Sequence, residues 1–360
     1  VESLDDYLRF TVDKDGSDLH LKAGGPAFVR VDGDLKPITQ LPPLSQGDTE
    51  RFAREVMDER VAKDFLQRGE ADFAHAVSGL GRFRVNAFRQ RGSVGLVLRR
   101  VLTDPPKFTE LGLPAATRML AEEHRGLILV TGPTGSGKTT TTAAMLGHIN
   151  STRRCHVVTI EDPIEVLHRD DQAIIDQREI GVDTRDFTTA MKSVSRQDPD
   201  VIFIGEMRDV ETVSAALQAA ETGHLVISTL HTTDARETVN RIVDLFPKEQ
   251  QNQARLSLAN SLKGIVCQRL VPRATGDGRV AVVEILVMTT RIYDFLLDPQ
   301  EVHMIEEAIA EGDYYGMQTF DQHLLRLYRD GEVSLQDALS AATNQHDFRV
   351  SLRAEGLLTG

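Results

Sequence analysis

From Arg82 to Phe88, charged or polar residues alternate with apolar ones, and a period of two is the repeat of a strand with one buried face. Phe83, Val85 and Ala87 fall on the inner side, and Arg82 and Arg84 share the outer one. After the Gly92 turn, Gly95 to Leu98 predicts the next strand, which runs into Arg99 and Arg100. Earlier, Phe28 to Val31 is followed by Asp32-Gly33, the signal of a hairpin. Residues 1–103 therefore read as a small α+β domain. In Asp104-Pro105-Pro106-Lys107, consecutive prolines remove amide donors and restrict the residue before them, which predicts a linker over 104–110. Beyond it, short unbroken apolar runs alternate with helical stretches: Leu127 to Val130, Val157 to Ile160, Val201 to Ile204 and Leu225 to Ser228. That alternation predicts an α/β domain over 111–289 with a largely parallel sheet and crossover helices. From about residue 290, the spacing of Phe320, Leu324, Leu325 and Leu327 is helical, and 290–360 reads as a small helical segment.

The strand Leu127 to Val130 leads into Gly132-Pro133-Thr134-Gly135-Ser136-Gly137-Lys138-Thr139, and a helical stretch from Thr139 to His148 follows. In a GxxxxGKT loop the glycines let backbone amides turn inward on phosphates. Lys138 reaches the β and γ oxygens, and the Thr139 hydroxyl ligates magnesium. The helix N-terminus adds its own attraction for an anion. Such a loop needs a carboxylate at the end of a neighbouring apolar strand. Val201 to Ile204 is followed by Gly205 and Glu206, so Glu206 is the candidate, acting on magnesium directly or through water. A second acidic strand end, Glu161-Asp162-Pro163-Ile164-Glu165, puts three carboxylates in one loop, and one of them is a candidate general base for an attacking water. His224 and His231 flank the strand between them. Seven extended residues span roughly 23 Å, so the two rings cannot share a metal ion. A γ-phosphate sensor or a subunit contact suits them better.

At 360 residues the chain exceeds one ordinary core, which agrees with two domains. The net charge of −13 argues against a protein that coats nucleic acid, since phosphate neutralisation needs clustered Lys and Arg. Cys155 and Cys267 stand far apart without a CxxC pair, which removes a disulfide framework or four-cysteine zinc site and suits a reducing cytoplasm. No apolar run approaches the roughly 20 residues needed to span a bilayer, and no secretory leader is evident. Membrane contact is expected through partners only.

Taken in order, these motifs resemble those of the secretion and pilus motor ATPases, and most closely the type IV pilus retraction ATPases, the PilT-like family. The resemblance runs through Ser17-Asp18-Leu19-His20-Leu21, the phosphate loop, the acidic box Thr159 to Glu165, Asp198-Pro199-Asp200 leading to Gly205-Glu206-Met207-Arg208-Asp209, and a histidine box from Thr222-Gly223-His224 to Thr229-Leu230-His231. It implies a PAS-like N-terminal domain, a RecA-like C-terminal domain and a homohexamer with nucleotide between domains. By position it implies ATP and Mg2+ on residues 132–139 with Thr140, and metal held by Thr139 and Glu206. Glu165 becomes the catalytic carboxylate, and of the two box histidines His224 is grouped with the nucleotide contacts and His231 with the catalytic groups. Arg82, Arg84 and Arg99 match N-domain arginines able to meet the γ-phosphate. Implied partners are an inner-membrane platform protein and a paralogous pilus ATPase, at the inner face of the cytoplasmic membrane.

Two departures bear on this. The assembly ATPases carry a four-cysteine zinc module that two isolated cysteines cannot make, which favours the retraction branch. The family's Ala-Ile-Arg-Asn-Leu-Ile motif is here Arg291-Ile292-Tyr293-Asp294-Phe295-Leu296, with tyrosine in place of arginine. The expected activity is ATP hydrolysis that drives pilus retraction. The competing readings are a nucleotide-regulated accessory paralogue and, disfavoured by charge, a nucleic-acid translocase.

Overall fold

A computed structural model describes residues 3–31, 33–101, 103 and 105–358. The chain divides into two compact units, Val1–Thr103 and Asp104–Gly360.

The first unit carries six strands: β1 (Asp18–Lys22), β2 (Phe28–Val31), β3 (Asp34–Pro37), β4 (Glu70–Val77), β5 (Gly81–Gln90) and β6 (Ser93–Arg100). They form one antiparallel sheet in the order β3-β2-β1-β6-β5-β4. Phe83, Val85 and Ala87 are fully buried, as the alternation predicts, and join Leu19, Leu21, Leu96 and Leu98 in one core. The helices Leu4–Asp13 and Gln46–Val56 close that core with Tyr7, Leu8 and Phe52. Between β5 and β6, Arg91 and Gly92 both have positive φ (48° and 81°), the two-residue turn whose twist matches the flanking strands. The β2–β3 hairpin forms where expected. Asp32 of its turn signal lies outside the described residues, as does Asp104 of the expected linker.

The second unit is built on seven strands: β7 (Gly126–Thr131), β8 (His156–Glu161), β9 (Ile174–Glu179), β10 (Val201–Ile204), β11 (Leu225–Leu230), β12 (Leu262–Pro272) and β13 (Arg279–Val287). Their order is β13-β12-β7-β11-β10-β8-β9, with every pairing parallel except β12–β13. All four expected apolar runs are strands. β7, β10 and β11 are buried along their whole length, because helices cover both sheet faces. β9, β12 and β13 were not anticipated. The helices after residue 290 belong to this unit: Ile292, Leu296, Phe320, Leu324 and Leu327 share one buried cluster with Ile265 and Val282 of the sheet. His323 fixes them further, its Nδ1 accepting from the Val283 amide at 3.0 Å. The helix Phe108–Leu111 begins inside the span 104–110 expected to be a linker. Among the described residues no helix is long and apolar enough to cross a membrane.

Candidate nucleotide site

The parallel register decides which residues meet. Ile160 lies opposite Ile204, Ile204 opposite Ser228, and Leu230 opposite Thr131. The carboxyl ends of β7, β8, β10 and β11 therefore finish together, and the loops after them share one crevice, the usual ligand position of an open parallel sheet. The phosphate loop follows β7, the acidic box follows β8, Glu206 follows β10 and His231 follows β11. A cavity of about 540 Å³ lies there, lined by Lys138, Thr139, Glu161, Glu165, Glu206 and His231 among others.

Residues 132–137 form the loop and Lys138–Thr152 the helix it opens. Gly132, Gly135 and Gly137 have φ of 146°, 80° and 89°, a conformation that side chains resist. The half-buried Lys138 ammonium donates to the carbonyls of Gly132 (2.7 Å) and Pro133 (3.1 Å) and lies 3.4 Å from His231 Nδ1. Burial pulls its pKa below the usual lysine range, while Glu206 and Glu165 pull it back up. Thr139 Oγ1 donates to Glu165 Oε2 at 2.5 Å. Glu206 is gripped from both sides, by Arg208 at 2.7 Å and by His231 Nε2 at 3.3 Å. Burial pushes its carboxyl upward, but Arg208 and His231 outweigh burial and hold it below the usual carboxylate range.

Behind Glu165 stands Glu161, which is 8% exposed. Its Oε1 accepts from Thr159 Oγ1 (2.6 Å) and Gln177 Nε2 (3.1 Å). Burial raises it to about 7, with those two donors opposing the rise. His168, on the same cavity wall, is pushed down to about 4 by burial.

Among the described residues no group of three or more His, Cys, Asp or Glu side chains has the arrangement of a protein-only metal site. Magnesium asks for less, since it takes one or two protein oxygens and completes its shell with phosphates and water. Thr139, Glu165 and Glu206 offer hard oxygen donors in one cavity, which suits that ion. The loop also keeps a buried Ser136 hydroxyl without a hydrogen-bond partner.

Two groups of expected site residues are carried by other elements. His224 precedes β11, so it sits at the opposite end of the sheet from His231, where its Nδ1 faces the Ala219 carbonyl at 3.0 Å. It lines no part of this cavity. Arg82, Arg84 and Arg99 are in the first unit, with Arg84 and Arg99 directly opposite each other across β5 and β6. Arg99 donates to the buried Asp18 of β1 at 2.7 Å, Arg84 is exposed and Arg82 is half-buried.

Residues 82–340 match the model of the type II/IV secretion system protein family. The type IV pilus ATPase PilU of Pseudomonas aeruginosa is 44% identical over 346 residues, which is 96% of this chain and 90% of that protein. The chain belongs to the type IV pilus ATPases. PilT of the same organism, a type IV pilus retraction ATPase, is 43% identical over 343 residues, covering 95% of this chain and 99% of PilT. Among solved structures, the pilus retraction motor PilT with bound ADP superposes with a TM-score of 0.89 at 43% identity, covering 96% of this chain and 99% of that one. The fold is accordingly that of this family, a PAS-like domain followed by a RecA-like ATPase domain, and the enzyme is an ATPase.

Sequence reasoning missed Arg208, Gln177, Gln268, Leu270 and Arg279. Arg208 lay inside a quoted motif and follows Glu206 by two residues, a spacing that can return a side chain to its partner around a tight turn. The other four depend on strands β9, β12 and β13, whose places in the sheet no local pattern announces.

Proposed function

We propose that this ATPase is a hexameric motor of the pilus retraction machinery, hydrolysing ATP against an inner-membrane platform from the cytoplasmic face. The observation that carries the reading is the meeting of Lys138, Thr139, Glu165, Glu206 and His231 at the carboxyl ends of four parallel strands. Lys138 now holds its own loop's carbonyls, and those contacts are the ones phosphate oxygens would replace. Thr139 and Glu206 would hold magnesium, which when bound supplies Lewis-acid charge on the β and γ oxygens. The Glu165 carboxylate accepts from Thr139 Oγ1, and with that hydroxyl given to magnesium it would be free to accept a proton from the attacking water. His231 bridges Lys138 and Glu206, which suits a reporter of whether the γ-phosphate is present. The exposed Arg84 is the N-domain arginine best placed to serve a neighbouring subunit, because Asp18 already engages Arg99.

Steady-state phosphate release tests the chemistry. Purified protein should turn over MgATP and Glu165→Gln should not; equal rates would move the base to another carboxylate. Hexamer formation is tested by light scattering with a non-hydrolysable ATP analogue, and a persistent monomer would refute it.

A second reading, an accessory motor that works beside a paralogue, draws on two observations. Identity to PilU equals that to PilT within one per cent. Tyr293 also replaces the family arginine, is half-buried, and donates its hydroxyl to Asn260 at 3.1 Å. The nearby cation, Arg291, is engaged by Glu307 and Glu311 of its own unit. Surface pili and twitching in a deletion strain separate the readings. Accumulated pili without twitching indicate the principal retraction motor, and twitching impaired only under load indicates the accessory one.

A further inference from the structure

We propose that Gln268 is a positioning residue for nucleotide binding: its side-chain amide fixes the Ser136–Gly137 peptide so that the Gly137 N–H faces the phosphates. The proposal rests on residues 132–139 being the phosphate loop. β12 runs parallel to β7 with Cys267 opposite Thr131, so Gln268 stands where the loop begins, although it is more than a hundred residues away in sequence. It is 2% exposed. Its Nε2 donates to the Ser136 carbonyl at 2.8 Å, and its Oε1 accepts from Thr141 Oγ1, in the first turn of the following helix, at 2.7 Å. One amide thus ties the middle of the loop to the helix that the loop opens.

The fit continues in the two glycines that bound the loop. A Cβ on Gly132 would lie 2.4 Å from the Gln268 carbonyl oxygen, and one on Gly137 would lie 2.6 Å from Gln268 Nε2. Both are closer than carbon atoms tolerate, so the backbone and the side chain of Gln268 are pressed against the two ends of the loop. In a trans peptide the carbonyl and the following N–H point in opposite directions. A Ser136 carbonyl held down by Gln268 therefore leaves the Gly137 N–H directed away from β12, the orientation an inward-facing amide cradle requires. Without the donor, that carbonyl is a buried acceptor with no partner, and a peptide flip would relieve it by presenting an oxygen to the phosphates. Only an amide supplies a donor and an acceptor at this length. Glutamate keeps the acceptor for Thr141 but sets an oxygen against the Ser136 carbonyl, and methionine supplies neither bond.

The test is MgADP affinity by titration calorimetry, with KM and kcat for ATP, in Gln268→Asn, Gln268→Met, Gln268→Glu and Thr141→Val. Lys138→Ala is the control for the loop itself. Gln268→Met and Gln268→Glu should weaken MgADP binding tenfold or more, with Glu the worse despite its closer shape. Gln268→Asn should fall between them and wild type, and Thr141→Val should lose less than threefold. KM should rise in parallel while kcat at saturation changes less. A merely structural amide would lower the melting temperature without that order of affinities. Wild-type affinity in any folded Gln268 variant, while Lys138→Ala has lost binding, overturns the positioning role alone. Should only the mildest variant, Gln268→Asn, fold, its affinity decides. Undiminished affinity in Lys138→Ala would bring down the loop reading and this proposal with it.

Discussion

Glu284 offers a measurement of how strongly the second unit resists a buried charge. It is on β13, 6% exposed, and its Oε1 accepts from the Ala235 amide at 2.9 Å. Burial raises its pKa from 4.5 to about 7, aided by Asp234 and Glu306 and opposed by the Ala235 N–H and by Arg269. The folded chain thus keeps a proton there over a range in which the unfolded chain has released it. Stability from this group is fully present below about pH 4.5 and is lost as pH rises through 7. The interval of about 2.5 pH units corresponds to roughly 3 kcal/mol. Glu284→Gln keeps the acceptor for Ala235 and cannot ionise, so the variant should gain on wild type by about that amount between pH 4.5 and 8. The difference is the quantity to follow, because His168 and His323, both held near 4 by burial, destabilise the folded state as pH falls below 6.5. They offset Glu284 and Glu161 in the raw curve over much of the window. Urea unfolding of nucleotide-free protein at pH 5, 6, 7 and 8.5 should show the two midpoints separating by about 1 M, given a slope near 3 kcal/mol/M. Midpoints that keep a constant offset across that range would refute the buried-proton argument.

Lys138→Ala should abolish ATP turnover and weaken MgADP binding at least tenfold, because the charge on the β and γ oxygens is lost; retained affinity in calorimetry would contradict this. Glu165→Gln should bind nucleotide normally and lose turnover by about a hundredfold or more, read from phosphate release. Arg84→Ala should lower kcat while leaving MgADP affinity intact, since the charge it meets develops on the γ-phosphate; equal losses in both would mark it as structural. Tyr293→Arg in a complemented deletion strain should leave ATP hydrolysis unchanged and alter twitching, and identical twitching would remove that position from force output.

The sequence disclosed what is local. The phosphate loop, the four strands that carry the site and the outer-face placement of Arg82 and Arg84 each rest on neighbouring residues, and parallel register then delivers the carboxylates and His231 to one crevice. Extended-chain length was enough to separate His224 from His231, although family resemblance had grouped His224 with the nucleotide contacts. Pairings across the sheet were hidden. Arg99 reads as an exposed strand arginine until β1 and β6 align and set Asp18 directly opposite it. β12 was illegible for a related reason: a strand covered on both faces loses its alternation, and Gln268 and Arg269 interrupt its apolar run.

That interruption shows what distinguishes the two kinds of residue. Arg269, beside Gln268 and on the other face of β12, stacks on Phe320 at 3.9 Å and donates to the Ala341 carbonyl at 3.2 Å. One strand therefore sends a polar side chain to the phosphate loop and the next to the C-terminal helices. Periodicity registers both as defects in an apolar run, because it weighs a residue only by whether it suits burial. A buried polar residue is explained by its partner, and here the partners lie about 70 to 130 residues away. Glu161 is likewise explained by its partners, being one of three carboxylates in its loop and indistinguishable from the others by type. Gln177 on β9 and Thr159 on β8 accommodate it in the interior, whereas Glu165, four residues on, is left exposed and available to water.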